Sequence, residues 1–306
     1  MQIRQRPLTL TAVLLGMRAA PDLSRAHVVD QLIAERAQRL TAHVAWPAIR
    51  PLAYRVLHYH RAVAMANDVA PLSGAEALAY LSRLLALDLD VTGAERIPRE
   101  GGFILAPSHP TGIADGIAVH DFLRPIRPDM AIFANRDALR VAHGFRDVLI
   151  PVEWRAGQKT HSKSRDTLEA TARAFGDGKA VVLFPSGRIA YWTEEGLTER
   201  PWQSSIVALA RRFSVPVVPL NMQSRNSGLF YLLSRFSNEL RDMTVFHELL
   251  NKKGAQFRLT VGEPVPPEAL DGDAADVAAR LQAHTVHALA ENPDAVFAGS
   301  QAVPST

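Results

Sequence analysis

From residue 87 onward the chain alternates short apolar runs with helix-length amphipathic stretches. No other feature limits the fold as much. The runs are Leu87–Val91, Phe103–Ala106, Met130–Ala134, Val148–Val152, Ala180–Phe184, Val215–Leu220 and Phe257–Val261, each four to six residues long. Between and after them lie Gly116–Phe122, Thr167–Phe175, Ser204–Phe213 and Ala274–Ala290, with apolar residues at helical spacing. Strands that alternate with helices build a mostly parallel sheet, because parallel neighbours need a crossover and the crossover helices cover the sheet faces. The expectation is an α/β domain over 87–292 with a central sheet of about seven strands.

Residues 24–86 lack strand-like alternation and read as helical, with apolar positions at Val28, Leu32, Ile33, Leu40 and Val44. Pro47 and Pro51 predict a break into two segments, and Ala75–Ala86 a further helix. With 306 residues, 47% of them hydrophobic, the chain can hold one large core plus a helical appendage. Residues 1–86 are expected to form an N-terminal helical segment, and 293–306 a disordered tail.

The charge is unevenly placed. Residues 1–72 carry nine arginines against four acids. An Arg-rich, apolar-punctuated start suits an anionic membrane surface, and equally a solvated helical face. No stretch approaches the roughly 18–20 apolar residues that a spanning helix needs. Pro7–Met17 reads as an interfacial segment. The chain has no cysteine, which excludes disulfides, thiolate metal sites and a cysteine nucleophile. No metal site and no nucleic-acid partner are expected.

Three motifs fall where strands end. In SHPTGIADG, His109 follows the run Phe103–Ala106, and Asp115 lies six residues on. Pro110 and Gly112 allow the turn that would bring the two side chains together. A carboxylate on Nδ1 leaves Nε2 free to take a proton from a hydroxyl. The alternative is a His that fills a turn and an Asp that caps a helix. In VVLFPSGR, Gly187 would let amide groups converge, and Arg188 adds a forked cation suited to phosphate or carboxylate, unless it is a plain surface Arg. VPVVPLN is an apolar strand whose Pro219 marks an end or an edge. There is no Gly-x-Ser-x-Gly elbow, Walker loop, dinucleotide fingerprint or His-Glu-x-x-His pair.

In their order and spacing these three motifs resemble the PlsC-like glycerolipid and lysophospholipid acyltransferases. They are most similar to the hemolysin-like branch that includes lyso-ornithine lipid acyltransferases. That branch shares His-Pro-x-Gly-x-x-Asp-Gly, a later Arg225-Asn226-Ser227 and the segment Glu248–Lys252. The resemblance spans roughly residues 85–266. It departs from the common glycerolipid pattern in three ways. Five residues separate His109 from Asp115 instead of four, Ser186 stands where Glu is usual, and Arg188 follows Gly187 directly. The second family motif is hard to place; Ile150-Pro151-Val152-Glu153, with Arg155 after it, occupies its region.

The resemblance implies transfer of a fatty acyl group from acyl-CoA or acyl carrier protein to a lysolipid hydroxyl, with no other cofactor. It makes His109 the general base and Asp115 its partner. Arg188, Gly187 and Ser186 would hold the acceptor head, with Arg136 and Asn226 as further candidates. It also implies a peripheral enzyme on the cytoplasmic face of the inner membrane. A thioesterase or lipase on the same dyad, or a non-catalytic lipid or acyl-carrier binding protein, are the competing readings.

Overall fold

The computed structural model describes residues 23–153 and 160–299; Pro7–Met17, Arg155 and residues 300–306 lie outside them. Five helices come first: α1 (Val28–Arg36), α2 (Gln38–Ala42), α3 (Trp46–Val56), α4 (Tyr59–Val69) and α5 (Gly74–Leu85). Then follow β1 (Asp88–Thr92), β2 (Phe103–Pro107), α6 (Ile113–Leu123), β3 (Ala131–Asn135), α7 (Ala138–Val141), β4 (Leu149–Val152), α8 (His161–Gly176) and β5 (Ala180–Val182). A hairpin, β6 (Tyr191–Thr193) and β7 (Gly196–Thr198), precedes α9 (Ser205–Phe213) and β8 (Val217–Gln223). The chain closes with α10 (Gly228–Phe236), α11 (Asn238–Met243), α12 (Val245–Leu250), β9 (Gln256–Val261), α13 (Ala274–Ala283) and α14 (Leu289–Glu291).

Seven strands form one sheet in the order β1-β9-β8-β2-β5-β3-β4, parallel except for the antiparallel β8–β9 pair. Side chains on a strand alternate between faces, and the central strands are apolar on both. Phe103 and Leu105 of β2 point into the core shared with α1 and α3–α6, while Ile104 and Ala106 point into the core under α8, α9 and α13. Continuous apolar runs are what a sheet covered on both sides demands. Of the N-terminal helices, α1, α4 and α5 bury their apolar residues in the same core as α6.

Some boundaries differ from the sequence reading. Helix α3 runs through both prolines. Pro47 lies in the first turn, where no N–H is needed, and Pro51 forfeits a single intrahelical bond. The helices break at residues 43–45, just before Pro47, and again at His58, whose φ of 53° is left-handed. The tail expected to be disordered is tied down over residues 293–299. Arg96 donates to Pro293 O at 2.7 Å and pairs with Asp294, and Phe297 packs edge-on against the His284 ring. The hairpin β6–β7 and the helices α10–α12 were not anticipated.

Candidate active site

Strand β2 ends at the middle of the sheet, between β5 and β8, and delivers the turn Ser108–Gly112 to its carboxyl-terminal edge. Gly112 makes this turn possible. Its φ of +104° with ψ −122° is backbone that only glycine adopts readily, and a Cβ there would meet Ile189 Cδ1 at 2.7 Å. The chain then enters α6, with Asp115 as its third residue.

Asp115 is fully buried and fully satisfied. Its Oδ2 accepts from Thr111 N at 2.8 Å and Gly112 N at 2.9 Å and lies 2.8 Å from His109 Nδ1; its Oδ1 accepts from the Thr111 hydroxyl. The two readings of the motif hold together: Asp115 caps α6 from its third position and also binds the imidazole. Burying a carboxylate is tolerable only when donors and opposite charge surround it, and here four donors and the positive end of a helix do so. A carboxylate oxygen facing Nδ1 favours the tautomer with the hydrogen there, which leaves the Nε2 lone pair open; Nε2 bonds to no described residue. The His109 ring lies against Phe184, with centroids 4.4 Å apart.

The turn after β5 interlocks with this one. Ala190 N donates to His109 O at 2.9 Å, Ile189 covers Gly112, and Phe184 supports the imidazole. Within it, Gly187 has φ +62° and its amide donates to Phe184 O at 3.0 Å, while the Ser186 hydroxyl donates to Arg188 O at 2.9 Å. Neither group is free to meet a ligand; both are spent shaping the turn. What the turn offers outward is the exposed Arg188 guanidinium, which bonds to no described residue.

The remaining candidates divide. Asn226 is buried behind the site and donates to Thr111 O at 3.2 Å, so it supports the His turn from beneath. Its neighbour Ser227 donates through amide and hydroxyl to Glu248, which in turn pairs with Lys252 at 3.0 Å. Burial pushes the Glu248 carboxyl up, but these donors outweigh it and hold it below the usual range. The two additional motifs, Arg225-Asn226-Ser227 and Glu248–Lys252, thus form one clamp. Arg136 stands at the end of β3, separated from β2 by β5, and is engaged by Lys163 O at 3.1 Å and Asp166 at 3.2 Å.

Sequence reasoning missed two parts of the site. One is Glu199, just past β7, whose Oε2 accepts from His109 N at 3.1 Å. Burial pushes its carboxyl above the usual range, and the Asp115 charge adds to this against the pull of Ser186 and His109. The other is the cavity of about 370 Å³ between the hairpin and α10, lined by Trp192, Glu194, Tyr231 and Arg235 among others. It is linked to the site through the Tyr231 hydroxyl, which accepts from Asn226 N at 3.0 Å. The alternating Tyr-Trp-Thr and Gly-Leu-Thr about Glu194-Glu195 was the available hairpin signal.

This geometry can take a proton from a hydroxyl and, among the described residues, holds no cluster suited to a metal ion. The family described as Acyltransferase matches residues 88–223, the span from β1 to β8. The lyso-glycine lipid O-acyltransferase of Phocaeicola vulgatus is 26% identical over 204 residues, covering 65% of this chain and 71% of that protein. The protein of the same name from Bacteroides thetaiotaomicron is 21% identical over 223 residues, covering 71% and 80%. The PlsC 1-acyl-sn-glycerophosphate acyltransferase structure from Thermotoga maritima aligns with a TM-score of 0.47 at 16% identity, over 85% of this chain and 97% of that one.

Proposed function

Residues 88–223 match the family described as Acyltransferase, and from that premise we propose that the chain moves a fatty acyl group from a thioester, acyl-CoA or acyl carrier protein, to the hydroxyl of a lysolipid. The observation that carries this reading is the 2.8 Å contact between His109 Nδ1 and a buried, fully satisfied Asp115, with Nε2 open. His109 Nε2 takes the acceptor proton as the hydroxyl oxygen attacks the thioester carbonyl. Asp115 stabilises the imidazolium that forms. The tetrahedral intermediate collapses with loss of the thiolate, a good leaving group because a thiol has a pKa of about 8.5. No protein nucleophile is needed.

Arg188 is the group placed to meet an anionic head. The acceptor belongs to the lyso-amino-acid lipids named for the two relatives or to the lysophospholipids, lysophosphatidic acid included. The protein works as a peripheral enzyme at the cytoplasmic face of the inner membrane. Supporting this, α3 buries only Trp46 and leaves Ile49, Leu52 and Val56 exposed along one side, with Arg50 and Arg55 flanking them. Apolar insertion plus about 1 kcal/mol per arginine near an anionic surface gives reversible docking. No helix among the described residues is long and apolar enough to cross a membrane.

The test is a labelled acyl thioester offered with a panel of lysolipids to wild type and His109→Ala. A diacyl product that depends on His109 supports the reading. Free fatty acid released at the same rate without acceptor would make the protein a hydrolase. Binding of acyl thioester without turnover would leave a non-catalytic carrier. In parallel, Leu52→Glu should weaken co-sedimentation with anionic vesicles while leaving turnover of dispersed substrate unchanged; equal sedimentation would remove α3 from the membrane contact.

A further inference from the structure

From Arg36 to Asn67 the chain holds five arginines and no acid. Cations in this stretch must find their counter-charges elsewhere in the fold. Arg36 does so, in Asp137 at 2.9 Å. Arg50, Arg55 and Arg61 do not. Each is exposed, and none makes an ion pair or a side-chain hydrogen bond with a described residue. All three line one cavity of about 730 Å³, which opens at the elbow between α3 and α4 beside Asp30 of α1.

The elbow is braced. Its turn residue, His58, stacks on His247 of α12 with ring centroids 5.0 Å apart and the two Nδ1 atoms at 3.1 Å. Tyr54 and Tyr59 stack on each other at 4.0 Å, and their hydroxyls donate to the two oxygens of Asp30 at 2.7 and 2.6 Å. Arg50 stands over the Tyr54 ring, 6.0 Å from its centroid. Asp30 is the one acid in the cavity lining, and the tyrosines, not the guanidiniums, engage it.

Three guanidiniums against one carboxylate leave two positive charges in excess. Like charges gathered on a fixed frame repel one another unless an anion joins them. Guanidinium forks match phosphate oxygens two at a time. A phosphate monoester carries about −1.5 to −2 charges near pH 7, more than a diester or a carboxylate. Because the frame is already braced, little ordering is left for the ligand to impose.

We propose that the cavity between α3 and α4 is a binding site for a phosphate monoester, held by Arg50, Arg55 and Arg61. The phosphate is the shared chemistry of two sources, a soluble molecule and a lipid head group. The site uses no residue of the His109 turn and stands whether or not the chain transfers acyl groups.

Two probes test it on the full-length protein. One is inorganic phosphate, followed by titration calorimetry. The other is flotation with neutral vesicles that carry phosphatidate or, at matched surface charge, phosphatidylglycerol. Saturable binding of inorganic phosphate would support a soluble ligand; stronger retention on phosphatidate than on phosphatidylglycerol would support a head group. In either case Arg50→Gln with Arg61→Gln should weaken binding about tenfold or more. The charge-matched pair Arg83→Gln with Arg212→Gln, on α5 and α9 outside the cavity lining, should bind like wild type. Arg55→Gln alone should weaken binding severalfold, which keeps the test open if the double variant does not fold. Equal retention on both vesicles without phosphate binding would mean a general surface charge and would overturn the site. So would binding that the arginine variants leave unchanged, or arginine-dependent binding of acyl carrier protein that phosphate does not displace.

Discussion

The turns that follow β2 and β5 sit side by side and are built on opposite plans. In the first, the functional carboxylate is buried, accepts from Thr111 and Gly112, and lies 2.8 Å from the His109 ring. In the second, the backbone and Ser186 are consumed internally, and Arg188, the proposed head-group ligand, is exposed and bonds to no described residue. A base must be aligned to a fraction of an ångström, so the protein spends donors on holding it. A head-group ligand needs only an accessible forked cation that can follow its target. On the proposed mechanism, the contrast separates the part of the site that would perform chemistry from the part that would adapt to different acceptors.

Mutations can break this comparison. His109→Ala has the largest expected effect, a loss of about 10²–10⁴-fold in kcat. Asp115→Asn should come next, about 10²-fold or more, because the amide can present N–H to Nδ1 and favour the wrong tautomer. It should also lower Tm, since Thr111 and Gly112 lose a charged acceptor. Gly112→Ala should cost about 1–3 kcal/mol from backbone strain alone, because the tip of Ile189 can move aside but φ +104° cannot be avoided. Denaturant unfolding would measure it, and a neutral result would show that the first turn is less rigid than described. Arg188→Ala should raise acceptor KM about tenfold, leave kcat nearly intact and leave Tm unchanged. If it lowered kcat and Tm together, the second turn would be as structural as the first and the contrast would fail.

Much of this was legible in the sequence because it is local. The strands β2, β5 and β8 were visible as apolar runs, since each is buried on both faces and hides no polar alternation. His109 and Asp115 were legible because one short turn joins them. Other features depend on residues far apart in the chain. Glu199 meets His109 across 90 positions, and Glu248 reaches Ser227 across 21; no local pattern marks either contact. Arg136 read like Arg188, a cation after a strand, but β3 lies beyond β5 and α8 supplies its partners. Residues 228–250 gave no clear period because Ser227, Ser237 and Thr244 divide them into three short helices. The acyltransferase family expected from the motifs is the one whose model matches.

The place of β1 carries a consequence for how the protein is made. Its one neighbour in the sheet is β9, paired from Asp88 with Gln256 to Thr92 with Thr260. The partner therefore leaves the ribosome 168 residues later, about 10–30 s at ordinary synthesis rates. During that interval β1 has no ladder to join. Its alternate exposed positions, Asp88, Asp90 and Thr92, are polar, which is how a waiting edge avoids pairing with a neighbouring chain. A gene truncated at residue 223 would encode His109, Asp115, Arg188 and Glu199 and yet leave this strand permanently unpaired.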